Sequence, residues 1–466
     1  VGDLNINAFT KSINEIRRRH QVLRTNFYYQ EGKPYQKIHP FEPIEIKKID
    51  LRDISESEKE KEFKKRAELK IKKVYDLEND LIFNTFLFQL SEEEHIFLIK
   101  VHHIIFDGFS FGLFYDELSK FYDAFHSGKT PNLPEINIQY SDYATWQRKL
   151  FEKGHLDTEV EYWKKELKGA PAELEIATDH PRPKLQTYNG DEFTFMIDEN
   201  VYKDLKKLSI KYKCSLFMVL VAIYNVLLHR YSQQNDIIVG FPISIRTHPE
   251  LENLLGMFVN MLVHRIRLKE DITFVGLLEK SKKTTTGAYT NQQVPFEKLV
   301  EELNIDRDPS RNPLFQYSIG LQPSKNFELK LKGLKATSES IHIPSSQFDF
   351  HIQFCESKNH LKGSIEYNTD LFDRSTIVRM LRHFKHITNS VTKNPDQQIS
   401  EIPILTDPEI KQLAAWNSTE RRFQTEDSLL GLLQKKAEEN KDSLALIHEG
   451  EELTYSQLHE RADKVA

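Results

Sequence analysis

Two adjacent histidines, His102 and His103, open a short segment that an aspartate and a glycine close: His102-His103-Ile104-Ile105-Phe106-Asp107-Gly108. The apolar run before them reads as a strand. Successive strand side chains point to opposite faces. One imidazole can therefore face a cavity while the other faces packing. An imidazole that titrates near neutrality suits general-base work. Asp107 lies four residues beyond His103, across a turn closed by Gly108. Its carboxylate could orient an imidazole or anchor the turn through an arginine. Gly108 suits positive φ or the close approach of a substrate. A metal is a poor fit, because neighbouring strand histidines diverge and no further ligand stands at zinc-type spacing. The ordinary alternative is that these residues only build the fold. The four fixed residues match by chance on the order of once per thousand chains of this length. Neither a G-x-S-x-G elbow nor a cysteine nucleophile signature is found.

The elements that must hold this segment can be traced from periodicity. Leu4, Ile6, Phe9, Ile13 and Ile16 recur mostly at helical spacing. Arg24 to Tyr29 and Ile44 to Leu51 read as strands, with a turn at Glu31-Gly32-Lys33-Pro34. Ser55 to Val74 reads as a charged surface helix. Leu81 to Leu90 and His95 to His103 form a hairpin pattern around Ser91 to Glu94. After Gly108 the apolar positions Phe111, Phe114, Leu118 and Phe121 return to helical spacing, and Gly128 and Pro131 end that helix. A turn-rich stretch from Ala170 to Pro183 separates this lobe from a second with a similar order of elements. There Phe193 to Ile197 and Asp236 to Pro242 read as strands, and Glu199 to Tyr212 and Ser215 to Tyr231 as helices. Two α/β lobes of similar size follow.

The 466 residues, 39% apolar and 29% charged, have globular composition with material for a sizeable core. A net charge of −6 and a pI near 6.3 give no reason to expect nucleic acid or an anionic membrane as partner. The most apolar run, Leu216 to Leu228, is too short to span a bilayer, which takes about 20 residues, and reads as a buried core helix. Cys214 and Cys355 are the only cysteines, and in a chain this large they read as a reduced, cytosolic pair. Val1 leads almost directly into a helix and Ala466 stops inside another, so the chain reads as a segment of a longer polypeptide.

Val101 to Ser110, VHHIIFDGFS, resembles the HHxxxDG signature of nonribosomal peptide synthetase condensation domains. Five further segments resemble that family in its order. They are RHQVLRTNF (Arg19 to Phe27), YSDYATW (Tyr140 to Trp146), LGMFVN (Leu255 to Asn260), NQQVPFE (Asn291 to Glu297) and RDPSRNPL (Arg307 to Leu314). The resemblance covers residues 1 to about 415. Met261 stands where the family usually has Thr, Asn291 where it has His, and Gln293 where it has Asp. A first motif, like SxAQxRxW, is absent, so the chain is expected to begin inside the domain. Ala445 to Leu458, ALIHEGEELTYSQL, resembles the first core motif of an adenylation domain. That family's ATP-contacting motifs are missing, so no adenylating activity of its own is expected.

The resemblance implies two chloramphenicol-acetyltransferase-like lobes in a V-shaped pseudo-dimer, with a tunnel at their junction. The lobes are expected over residues 1–170 and 171–405, a linker over 406–425 and the adenylation-like fragment over 426–466. It implies amide-bond formation between a donor thioester and an acceptor amine. Both arrive on phosphopantetheine arms of carrier proteins that dock at opposite mouths, and the chain itself binds no cofactor and no metal. A cytoplasmic, bacterial synthetase with an adjacent adenylation domain is the implied setting. His103 takes the catalytic position, as base or by positioning the amine. His102 is structural. Asp107 holds the loop through an ion pair with Arg24 or Arg19, and Gly108 lies against the incoming arm. Asn260, Arg307, Ser310 and Arg311 support the tunnel from the second lobe. An epimerisation domain shares the histidine segment, but RDPSRNPL and the adenylation-like start argue against it. A heterocyclisation domain would carry aspartates in place of the histidines, and a coenzyme A acyltransferase would lack the ordered set. A non-catalytic domain that recruits carriers or partner enzymes is the reading from another class. Such domains typically lose the active histidine, which is intact here.

Overall fold

In the computed structural model, the described residues are 1–466 apart from 270, 324–328, 339–340, 342–343, 358–359 and 421–427. The apolar period of Phe9, Ile13 and Ile16 forms the helix Ile6–Arg19, whose N-terminus Asn5 caps by accepting the Ala8 N–H at 3.0 Å. This helix packs against Gly108–His126, with Phe9 edge-on to Tyr122. The strands Thr25–Gln30 and Lys33–Ile38 pair across Glu31 and Gly32, both at positive φ as a tight hairpin turn requires. Strand Lys47–Asp50 runs parallel to Phe83–Gln89, which pairs antiparallel with His95–Val101. The first of these is shorter than the predicted Ile44 to Leu51. The Asn14 carboxamide bonds both the Ile44 N–H (2.7 Å) and its C=O (2.9 Å), occupying the groups a ladder would need.

The second half of the fold is a six-stranded sheet. Its order is Gly190–Ile197, Leu361–Asn368, Phe350–Glu356, Tyr317–Pro323, Asp236–Ser244 and Val259–Arg267. Phe350–Glu356 and Asp236–Ser244 run parallel to Tyr317–Pro323, and the remaining pairs are antiparallel. One face is covered by apolar helices. Leu216–Ser232 is buried along almost its whole length, as its all-round apolar sequence demands. The amphipathic helix Arg374–Lys393 lies beside it, with Phe384 against Phe354 of the sheet. Among the described residues no single helix is long and apolar enough to cross a membrane. Cys214 and Cys355 are both free.

The chain divides into two compact units, Val1–Ile404 and Leu405–Ala466. The two lobes expected to meet near residue 170 share the first unit. In the second unit, Thr406 and Glu409 form a capping box at the start of Asp407–Trp416. Helix Leu429–Glu439 and the hairpin Leu444–His448/Glu451–Thr454 come next, then helix Tyr455–Val465. The strand Glu451–Thr454 is not expected from the sequence, because its Glu-Glu start gives no apolar alternation. The hairpin forms because Glu449 and Gly450 both take positive φ.

Candidate active site

The strand His95–Val101 ends one residue before the histidines, and His102 is the hinge into the next turn. Its Nδ1 accepts the Ile104 N–H at 3.1 Å, so the side chain caps a short 3-10 turn, His103–Ile105. His103 is therefore the first residue of a turn and not the last of a strand. The capping bond competes with ladder pairing and turns the chain. The His102 ring lies half-buried, edge-on to Tyr75. Burial, with the charges of His103 and Lys100, lowers its pKa, which keeps Nδ1 free to accept. His103 is exposed, and no described residue hydrogen-bonds its ring. One histidine thus builds the turn and the other is presented to solvent.

Asp107 is buried and forms the N-cap of the helix Gly108–His126, bonding the Ser110 N–H at 2.8 Å and the Ser110 hydroxyl at 2.7 Å. Its ion-pair partner is Arg246, whose Nη2 lies 3.0 Å from Oδ1 and 3.2 Å from Oδ2. The expected partners Arg24 and Arg19 are engaged elsewhere. Arg24 donates to the His39 C=O. Arg19 donates to Glu117 at 3.2 Å and to the Pro134 C=O at 2.9 Å. Arg246 lies just beyond the strand Asp236–Ser244 of the second lobe, against the rings of Phe258 (4.0 Å) and Phe109 (4.7 Å). Burial lowers its pKa, and Asp107 opposes that shift. Asp107 Oδ2 also accepts the Phe258 N–H at 3.0 Å. No sequence signal marks Arg246, which is 139 residues from Asp107 and belongs to no recognised segment.

Three of the quoted segments converge on the loop from Leu254 to Phe258. Ser110 Oγ, whose proton goes to Asp107, accepts the Gly256 N–H at 3.1 Å and lies 3.0 Å from the Gly256 C=O. Tyr140 donates its hydroxyl to the Met257 C=O at 2.9 Å, and burial pushes that phenol up to about 12. Gly256 must lack a side chain, since a Cβ there would run into the Tyr140 ring. The Gln139 carboxamide bonds the Arg19 C=O and the Gln21 N–H, both at 3.0 Å. His20 lies 2.9 Å from Glu117. Burial raises the Glu117 pKa, but the bond from His20 and the charges of His20 and Arg19 outweigh it and leave the carboxyl below its ordinary value.

In the second lobe Asn260 is buried and donates to the C=O groups of Gln292 (3.0 Å) and Val294 (2.8 Å) while accepting the Phe296 N–H at 3.0 Å. It thereby fixes the segment Asn291 to Glu297 and has no bond to the histidine turn. Arg307 is exposed. The Ser310 N–H bonds Asp308 at 2.8 Å, and Arg311 pairs with Glu173 and Asp308. These are local braces within the second lobe. Besides Arg246 and the Leu254 to Phe258 loop, Gln322 of that lobe also approaches the histidine segment. Its Nε2 lies 3.8 Å from the point where a Cβ on Gly108 would sit. Gly108 is helical, without positive φ, so left-handed backbone is not the reason for glycine there. Among the described residues no cluster of three or more His, Cys, Asp or Glu could hold a metal.

The sequence profile described as Condensation domain matches residues 1–414. The chain belongs to the condensation-domain family. It is 38% identical over 472 residues to a linear gramicidin synthase of Brevibacillus parabrevis, covering 100% of this chain and 9% of that protein. It is 35% identical over 466 residues to bacitracin synthase 3 of Bacillus licheniformis, covering 100% of this chain and 7% of that one. The chain thus spans less than a tenth of these relatives. Among solved structures, the X-domain from teicoplanin biosynthesis superposes with a TM-score of 0.81 at 23% identity, over 87% of this chain and 91% of that one. A four-domain nonribosomal peptide synthetase bound to AMP and glycine superposes with a TM-score of 0.81 at 23% identity, over 97% of this chain and 35% of that one. At these identities the likeness speaks to the fold alone, the two-lobed chloramphenicol-acetyltransferase-like pseudo-dimer.

Proposed function

We propose that this condensation domain forms an amide bond between a donor acyl or peptidyl thioester and the amine of an acceptor aminoacyl thioester. The observation that carries the reading is the exposed His103 imidazole, set on a turn that His102 caps, beside a helix start that Asp107 and Arg246 clamp. The acceptor nitrogen attacks the thioester carbonyl, the C–N bond forms, the C–S bond breaks and the donor arm leaves as a thiol. His103 takes the proton from the attacking amine, or aligns that amine and steadies the tetrahedral intermediate, and the proton ends on the leaving sulfur. A thioester is already activated, so alignment of two tethered reactants can supply roughly 7–11 kcal/mol. One weak base in a passage between the lobes then suffices. The reactants are delivered on phosphopantetheine arms by two carrier proteins, within a cytoplasmic multidomain synthetase that continues into an adenylation domain. Gly108 leaves room for an arm against the helix start.

A second reading is supported by the likeness to the X-domain, one structure of which is a complex with OxyB. On that reading the chain recruits a partner and catalyses nothing. An assay with two loaded carriers separates the two. We expect dipeptidyl product, and none from His103→Ala. Normal product from folded His103→Ala would remove the catalytic assignment. Inversion of one loaded residue without condensation would instead identify an epimerase.

A further inference from the structure

The sheet face turned away from the helical core carries polar side chains at alternate positions. Along Tyr317–Pro323 they are Ser318, Gly320 and Gln322. On the parallel neighbour His351 pairs with Ser318, Gln353 with Gly320 and Cys355 with Gln322. The intervening Tyr317, Ile319, Phe350, Ile352 and Phe354 are buried on the core side. These two strands are the middle pair of the six. Even so, Gln322 and Cys355 are exposed and Gln353 and His351 are half-buried. Gln322 and Cys355 stand at the C-terminal ends of these strands, so solvent reaches this face from that end, while Ser318 deeper along it is buried. The outer end of the face is Gln322, which stands against Gly108.

Gln353 is arranged in an unusual way for a sheet residue. A Cβ on Gly320 would run into its carboxamide, so Gln353 lies flat across the neighbouring strand in the space a side chain there would fill. Its Oε1 is 3.3 Å from His351 Nε2, and its Nε2 donates to the Phe354 C=O at 2.8 Å. His351 Nδ1 is in turn 2.6 Å from Ser318 Oγ. Burial lowers the pKa of His351 to about 4, so the ring is neutral and one nitrogen donates while the other accepts. The Ser318 hydroxyl then donates to Nδ1 and Nε2–H donates to the Gln353 oxygen. The chain of bonds fixes which end of the carboxamide points where. Among the described residues its second N–H has no partner. A buried polar relay is costly unless every member is satisfied, and a sheet built for stability alone would place apolar groups here.

We infer that Gln353, laid over Gly320 and oriented by Ser318 and His351, is a specificity-determining residue for the reaction proposed above, on which this inference rests. It selects a reactant whose side chain is short, uncharged and able to hydrogen-bond. At about 3.3 Å per strand residue, Gln353 lies about 7 Å along the strand from Gln322. Gln322 in turn stands 3.8 Å from the Cβ position of Gly108, at the start of the helix that follows the His103 turn. The carboxamide offers that side chain an N–H and an oxygen lone pair, and it occupies the room a branched or aromatic group would need.

The test is a selectivity measurement on the chain with two loaded carriers. The donor and then the acceptor residue is varied through Ser, Thr, Leu and Phe, and kcat/KM is measured for each. Gln353→Ala is expected to raise the Phe-to-Ser ratio about ten- to a hundredfold in one of the two series, the range that a few atoms of pocket volume and one polar contact supply. Gln353→Ser, which keeps a polar group, serves if the alanine variant does not fold, and it should raise the ratio in the same series. An unchanged ratio in both series, from a folded variant that still forms product, overturns the inference. Absence of product from the unsubstituted chain refutes the condensation reading itself, and this assignment falls with it.

Discussion

Replacing Arg246 with alanine should be the most damaging arginine substitution around the histidine turn. The Asp107 and Arg246 side chains are only 1% and 4% exposed. Removal of the guanidinium leaves the carboxylate with three donors, the Ser110 N–H and hydroxyl and the Phe258 N–H, but no countercharge. Breaking a buried pair from one side typically costs about 3–5 kcal/mol. Unfolding entropy is about 2.1 cal/mol/K per residue. Over Val1–Ile404 the loss corresponds to a fall in Tm of about 4–6 °C. Arg19→Ala should cost less, about 1–2 kcal/mol, because His20 stays beside Glu117. Arg24→Ala, which loses a bond to one carbonyl, should cost about 1 kcal/mol. A double-mutant cycle with Asp107→Ala, read by denaturant unfolding, should give a coupling of about 1–3 kcal/mol for Asp107 with Arg246 and near zero for Asp107 with Arg24. Equal costs for the three arginines, or coupling to Arg24 in place of Arg246, would refute the reasoning.

Three further outcomes are expected. Gly256→Ala should destabilise by about 1–3 kcal/mol through overpacking against Tyr140, and Tyr140→Leu in the same chain should recover part of the loss, as followed by urea denaturation. Asn260→Ala should cost about 2–3 kcal/mol, because it strands two carbonyls and an N–H, and hydrogen exchange should rise at Phe296. His264 is fully buried, and burial lowers its pKa from 6.5 to about 4. A depressed folded pKa means that its stability is complete above about 6.5 and is lost as pH falls towards about 4. The loss across that window is on the order of 3 kcal/mol. His264→Leu should therefore reduce the slope of the Tm profile between those pH values, leaving the share of His351, whereas an unchanged slope would contradict the assignment.

Much of this was legible in the chain because the chemistry is local. Helical spacing after Gly108 and the hairpin around Ser91 to Glu94 are near-neighbour patterns, and both took the predicted form. His102 and His103 were expected to face opposite ways along a strand, and in the structure one is half-buried and the other exposed for a different local reason. Alternation along a strand was the expectation, and capping of the next turn by the first ring is what separates them. Arg246 and Gln353 were not legible. Each gains its role from a partner far off in sequence or from a neighbouring strand, and neither a lone arginine nor a lone glutamine carries any spacing signal. The inferred partners of Asp107 failed for the same reason, since sequence proximity favoured Arg24 and Arg19 while the fold brings in a cation from the other lobe.

That a single carboxylate caps one lobe's helix and holds the other lobe's arginine constrains how the molecule can breathe. Spreading the halves at this point would pull a charged pair out of its apolar surroundings and release the first turn of the helix together with it. The same helix is held a second time further along, where Ser119 accepts the Lys330 N–H and Asp123 the Lys332 N–H, so separation would have to break both attachments. The turn bearing His103 directly precedes the Asp107 attachment, so the distance between its ring and the helix start should hardly change.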